Sequence, residues 1–176
     1  MNLLEQFERA ARGAAASAER VPRTAEALAA AVGRIARDAP RIVLAEPYHL
    51  PTALFDACRR LPGVLEGCTK RDFAAAEVGI TEAFAGVART GSVCVAVDEG
   101  YTGYASLLVR HHVAVLAAED IVERPGDLFC ADRLGGQGLA RSFVFITGPS
   151  ATADMGPLVR GVHGPHHLTV VLLEPE

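Results

Sequence analysis

The sequence predicts an α/β fold, a mainly parallel sheet flanked by helices, and three observations predict it. Short aliphatic runs such as Ile42-Val43-Leu44-Ala45 are apolar at every position rather than alternately, the texture of strands buried on both faces. Helical segments separate those runs, as in chains that build parallel sheets by crossover. The 176 residues suit one domain, whose usual range is about 100–200 residues. A chain of that size buries roughly two thirds of its unfolded surface, so it needs neither a disulfide framework nor a structural metal to fold. We read 1–176 as a single domain, with N-terminal helices over 1–39 packed on an α/β core over 40–176.

Taken in order, 2–19 reads as a helix, with Asn2 and Glu5 placed for a reciprocal cap and Leu3, Phe7, Ala10, Ala11 and Ala14 on one stripe. A second helix follows Pro22, capped by Thr24, with Leu28, Ala31, Val32 and Ile35 facing the core. These two form an N-terminal helical pair. Ile42 opens the first strand, Pro51 opens a helix reaching about Arg60, and Val64-Leu65-Glu66 is a short strand. A helix is expected over 81–89, stopped by Gly91 in the role of a helix C′ residue. Strands follow at 93–97, 113–117, 143–146 and 168–173, with a helix over 157–160 before the last.

Charge and composition exclude several classes. A net charge of −4 and a pI near 5.9 give no basic footprint, so a nucleic-acid partner is not expected. Met1-Asn2-Leu3-Leu4-Glu5 has no basic n-region, and no apolar run approaches the roughly 20 residues of a spanning helix, so a cytoplasmic protein without membrane insertion is expected. Cys58, Cys68, Cys94 and Cys130 make no C-x-x-C pair, and they read as small buried hydrophobes rather than ligands of zinc or a cluster. No cofactor is implied, because G-x-G-x-x-G, Walker and G-x-S-x-G signatures are all missing from the sequence.

Chemistry is therefore sought in strand-following loops, beyond the carboxyl ends of the strands, where open α/β sheets bind ligands. The segment 147–156, Thr-Gly-Pro-Ser-Ala-Thr-Ala-Asp-Met-Gly, follows a strand and offers small residues, hydroxyls and amides suited to a carboxylate or phosphate. Ser150, Thr152 or Asp154 could equally cap the helix expected next. Gly161-Val162-His163-Gly164-Pro165-His166-His167 brings a histidine between two glycines; beside a carboxylate it could act as an acid–base group. Its three histidines lack a carboxylate or cysteine to complete a metal set, so no metal site is assigned. Gly79-Ile80-Thr81-Glu82 and Thr90-Gly91-Ser92 bracket the helix expected over 81–89, and Asp98-Glu99-Gly100 reads as a solvated turn. His111 and His112 point to opposite sides and neither reads as a ligand.

In order and spacing, Gly79-Ile80-Thr81-Glu82-Ala83, Thr90-Gly91-Ser92, Gly148-Pro149-Ser150-Ala151-Thr152-Ala153-Asp154 and Gly161-Val162-His163-Gly164-Pro165 resemble the LUD domain family, in its lactate utilization protein C type. The resemblance covers about 40–176. It implies the fold of the phosphosugar isomerase, CoA transferase and formyltetrahydrofolate cyclo-ligase superfamily. It further implies a part in oxidising L-lactate to pyruvate beside iron–sulfur subunits, as the cluster-free member, and it is compatible with a homo-oligomer. Arg89 stands where the family usually has Glu, Val109-Arg110 replaces a common Pro-Pro, and the N-terminal part is short. On this reading Gly79, Thr81, Thr90, Gly91, Ser150, Thr152, Gly161 and Gly164 bind a small anionic ligand or partner, with Asp154 and His163 as acid–base candidates. The alternative is a free-standing isomerase, CoA-transferase or cyclo-ligase-like enzyme acting on a small phosphorylated or carboxylated substrate; a purely interacting scaffold is a third. Fold alone does not choose between them.

Overall fold

The computed structural model describes residues 2–97, 101–130, 142–154 and 156–175. The expected turn at Asp98-Glu99-Gly100 and the glycines at 135, 136 and 138 lie outside the described residues. Five strands form an all-parallel sheet in the order β1-β11-β6-β3-β2: β1 (Ser17–Val21), β2 (Ile42–Leu44), β3 (Val78–Ala83), β6 (His111–Ala117) and β11 (His167–Leu173). A second sheet, ordered β7-β4-β5-β8, joins β4 (Ala85–Val87), β5 (Ser92–Val97), β7 (Ile121–Val122) and β8 (Ser142–Ile146), with β5 antiparallel to both β4 and β8. The α/β class and the parallel sheet with flanking helices therefore stand.

One face of the parallel sheet is covered by α2 (Ala25–Ile35), the 3-10 turn Thr52–Phe55 and α3 (Asp56–Arg59), burying Leu28, Val32, Phe55, Ile80, Val113 and Val171. Thr24 caps α2 by accepting from the Ala27 amide, as expected. On the other face α1 (Leu3–Gly13) and the second sheet bury Phe7, Ala11, Val93, Val95, Leu116 and Leu172. Beside them, α4 (Lys70–Ala75) and α5 (Thr102–Leu107) close a smaller cluster around Phe73, Ala105 and Val109.

Five expectations are corrected. The N-terminal helical pair is interrupted: α1 keeps its Asn2–Glu5 capping box but ends at Gly13, Ala15 turns the chain at φ +64°, and the chain then enters β1 alongside β11, Ser17 opposite Thr169. Glu8 and Arg20 tie the two elements by a bidentate pair at 2.9 and 2.7 Å. Residues 81–83 and 85–87 are strand, and 88–89 are turn, not helix. β3 passes through a bend at the half-buried Phe84 into β4, both strands buried at every position, so the chain passes from one sheet to the other. Gly91 accordingly turns a β4–β5 hairpin, with φ +66°, rather than ending a helix. The helix expected at 157–160 is absent: β9 (Ala151–Thr152) pairs antiparallel with β10 (Val159–Arg160), so no helix start supplies amides to the 148–154 loop. The candidate strand at 64–66 contributes a single bridge, Val64 to Ile42.

Candidate functional site

Two loops predicted from the sequence meet. The Ser150 amide donates to the Pro165 carbonyl at 2.9 Å, and the Gly161 amide to the Ser150 carbonyl at 2.8 Å. An added Cβ on Gly164 would stand 3.1 Å from Ser150 Cβ, and one on Gly161, whose φ is +77°, would lie 2.3 Å from the His166 ring. With the β9–β10 ladder these contacts knit 148–154 and 159–166 into one lobe. It sits at the amino edge of the parallel sheet, not beyond the carboxyl ends of its strands as expected, and there the His166 and His167 amides donate to the Arg110 carbonyl at 2.8 and 3.2 Å. Asp154 and His163 are both exposed on this lobe. Asp154 accepts from the Thr152 hydroxyl at 3.1 Å.

The 90–92 turn joins the lobe's root through a hydroxyl chain, Thr90 Oγ1 to Ser92 Oγ at 2.7 Å and Ser92 Oγ to Thr147 Oγ1 at 2.6 Å. Gly91 and Gly148 lie against α1: a Cβ on the first would be 2.2 Å from the Ala11 nitrogen, and on the second 2.0 Å from the Ala14 carbonyl oxygen. Thr81 and Gly79 stand apart from this lobe, in the middle of β3. A Cβ on Gly79 would meet the Ala105 carbonyl oxygen at 2.0 Å, so its bareness is what lets α5 lie close on the strand. Thr81 is fully buried and hydrogen-bonded to His112 Nε2 at 2.8 Å.

Sequence reasoning missed two groups. His112 is fully buried, its Nδ1 has no hydrogen-bond partner among the described residues, and burial pushes its pKa down to about 3, so the ring is neutral. Glu82, near the carboxyl end of β3, is buried and accepts the amides of Tyr48, His49 and Leu50 at 2.7–3.0 Å. Beside it, His49 Nε2 lies 3.3 Å from Asp120 Oδ2. A strand register through 79–83 was the available signal: it puts Gly79, Thr81 and Ala83 on one face and Ile80 and Glu82 on the other.

Cys58 and Cys94 are buried, which raises their thiols to about 11 and 12, whereas Cys130 is exposed, against the expectation of burial. All four cysteines are free. Among the described residues, no group of three or more His, Cys, Asp or Glu side chains could hold a metal ion, and no helix is long and apolar enough to cross a membrane.

A two-sheet α/β domain carrying these motifs defines the class: the chain belongs to the LUD domain family, whose model matches residues 57–173. Among individual proteins it is similar to lactate utilization protein C of Oceanobacillus iheyensis, 30% identical over 103 residues, which is 56% of this chain and 44% of that protein. Lactate utilization protein C of Shouchella clausii is 38% identical over 93 residues, 51% of this chain and 41% of the relative. An uncharacterized electron transport protein of Escherichia coli, YkgF, is 42% identical over 52 residues, or 30% of this chain and 11% of that protein. The matched stretch thus spans less than half the length of these curated relatives. In fold, the chain resembles the crystal structure of a DUF162 family protein from Deinococcus radiodurans, with a TM-score of 0.69 and 20% identity over 97% of this chain and 96% of that one.

Proposed function

We propose that this LUD domain protein serves a system oxidising L-lactate to pyruvate as its member without a redox centre. In this reading the lobe of 148–154 and 159–166 takes a small anionic ligand or an iron–sulfur partner subunit. The observation that carries it is the convergence of two separated motifs through Ser150, Gly161 and Pro165, in a chain whose named relatives include several lactate utilization proteins C. A loop lobe on a rigid sheet is a common place for binding residues. Asp154 and His163 contribute exposed polar groups to it, and the Thr90–Ser92–Thr147 hydroxyl chain stiffens its root.

The free-standing isomerase, CoA-transferase or cyclo-ligase-like alternative has less support. Glu82, the buried carboxylate at a strand end, is already engaged by three backbone amides, and a carboxylate stabilised in this way is a weak nucleophile. That alternative would therefore rest on Asp154 and His163.

Thermal-shift titration of the whole chain with L-lactate, pyruvate, CoA esters and sugar phosphates separates the two. A ligand at a hundredfold excess over Kd stabilises by about 2.7 kcal/mol. A shift with lactate or pyruvate that Asp154→Asn and His163→Gln weaken supports the proposal. A shift with sugar phosphates or CoA esters that Asp154→Asn and His163→Gln weaken favours the enzyme reading.

A further inference from the structure

At the amino edge of the parallel sheet, on the α2 side, lies an open cleft of about 620 Å³ lined by Arg34, Arg37, Asp38, Glu77, Arg110 and His111 among others. Its volume is within the range of small-molecule sites, roughly 300–1,000 Å³. Three guanidiniums face two carboxylates in a chain whose net charge is −4. Glu77 is partly committed, since its carboxylate accepts the Arg41 amide at 3.1 Å. Arg34 lies in the last turn of α2 and pairs with Glu19 at 3.3 Å, so the negative end of the helix dipole and a carboxylate together account for it. Arg37 and Arg110 exceed that need: among the described residues neither has an ion-pair partner.

Arg110 is also held in place through its backbone. Its amide donates to the Glu77 carbonyl at 3.1 Å, and its own carbonyl accepts from His166 and His167 at 2.8 and 3.2 Å. A cation whose main chain is fixed on three sides needs only its side chain ordered on binding, which lowers the entropic cost. His111, the uncharged wall of the cleft, has its pKa lowered to about 4 by burial and by His167, and its Nε2 is taken by Thr169 at 2.8 Å. The positive charge available to a ligand at neutral pH is therefore that of the arginines.

We infer that this cleft binds a small phosphate-bearing anion, with Arg37 and Arg110 as its principal contacts. Two unpaired guanidiniums match the double charge of a phosphate monoester, and the guanidinium fork matches its oxygens. A monoanion such as lactate satisfies only one of them, and none of the residues lining the cleft belongs to the lobe proposed above, so the two are distinct sites.

The test is calorimetric titration of the full chain with pyrophosphate at low ionic strength, with citrate and L-lactate in parallel. Saturable binding of pyrophosphate is expected, weakened about tenfold by each of Arg37→Ser and Arg110→Ser, strengthened by Asp38→Asn and unaffected by Arg71→Ser on α4. Unliganded melting temperatures should match across these exposed-site variants, which separates lost binding from lost folding. The inference is overturned if pyrophosphate fails to saturate by about 10 mM, a ceiling for any useful affinity. Equal weakening by Arg71→Ser overturns it too, by revealing non-specific charge attraction, as does tighter binding of citrate than of pyrophosphate, by assigning the cleft to polycarboxylates. Failure of the lactate-system reading would leave this result untouched.

Discussion

Thr81 Oγ1 and His112 Nε2 face each other at 2.8 Å across β3 and β6, both side chains fully buried. The other ring nitrogen has no partner among the described residues. An imidazole held there must remain neutral, because a proton on it would be a buried charge without a counter-ion.

Acid should therefore unfold this protein through its histidines. His112 and His111 titrate near 3 and 4 in the fold, depressed mainly by burial, against about 6.5 when unfolded. Below that unfolded value the unfolded chain binds more protons, so stability is full above about pH 6.5 and declines as pH falls toward the folded values. Each histidine contributes up to about 1.4 kcal/mol per pH unit in that window. Urea denaturation from pH 7 to 4 checks this, and His112→Leu with Thr81→Val should flatten the slope.

Glu82→Gln should destabilise the protein by roughly 2–3 kcal/mol, the scale of lost charge-assisted hydrogen bonds plus amides left unsatisfied. The 48–50 segment should lose amide protection selectively in hydrogen exchange, since its three amides are the donors to Glu82.

Glycine substitutions should divide sharply. Gly148→Ala places a Cβ 2.0 Å from the Ala14 carbonyl oxygen at φ +70°, and it should cost more than about 2 kcal/mol through strain and displaced backbone. Gly13→Ala meets nothing within 4 Å and should be neutral or mildly stabilising. Chemical denaturation of the pair reads the contrast.

Gly161→Ala should damage the lobe and spare the core. Its Cβ would fall on the His166 ring at 2.3 Å, which forces apart the contacts joining 159–166 to Ser150. Any lactate or pyruvate shift or partner binding seen with the parent chain should be lost, while the cooperative unfolding midpoint moves by less than the Gly148→Ala variant does.

Much of the fold was legible where local chemistry and burial agreed. The Asn2–Glu5 box and the Thr24 cap are where the patterns put them, and the strands expected at 42–45, 113–117 and 168–173 form as Ile42–Leu44, His111–Ala117 and His167–Leu173. The errors fall where small residues carry little pattern. Alanines over 10–18 conceal both the helix end at Gly13 and β1, which exists through its pairing with β11. Residues 81–89 read as helix locally, but 78–83 and 85–87 are buried strand, because Gly79 and Gly86 admit the Ala105 carbonyl oxygen and the Leu116 side chain. Two-residue strands such as β9 and β10 depend on each other and have no local signature. Within the site, the Ser150 and Gly161 loops were visible as composition, whereas Glu82 was not: its donors lie 32–34 residues away in sequence.

The most direct test of the central claim is reconstitution of L-lactate-dependent dye reduction with iron–sulfur partner subunits, with and without this chain. The account predicts no reduction by the chain alone, and a rate with the partners that rises when the chain is added and falls again with Gly161→Ala. Lactate oxidation by the chain alone, or a partner rate indifferent to its presence, would contradict it.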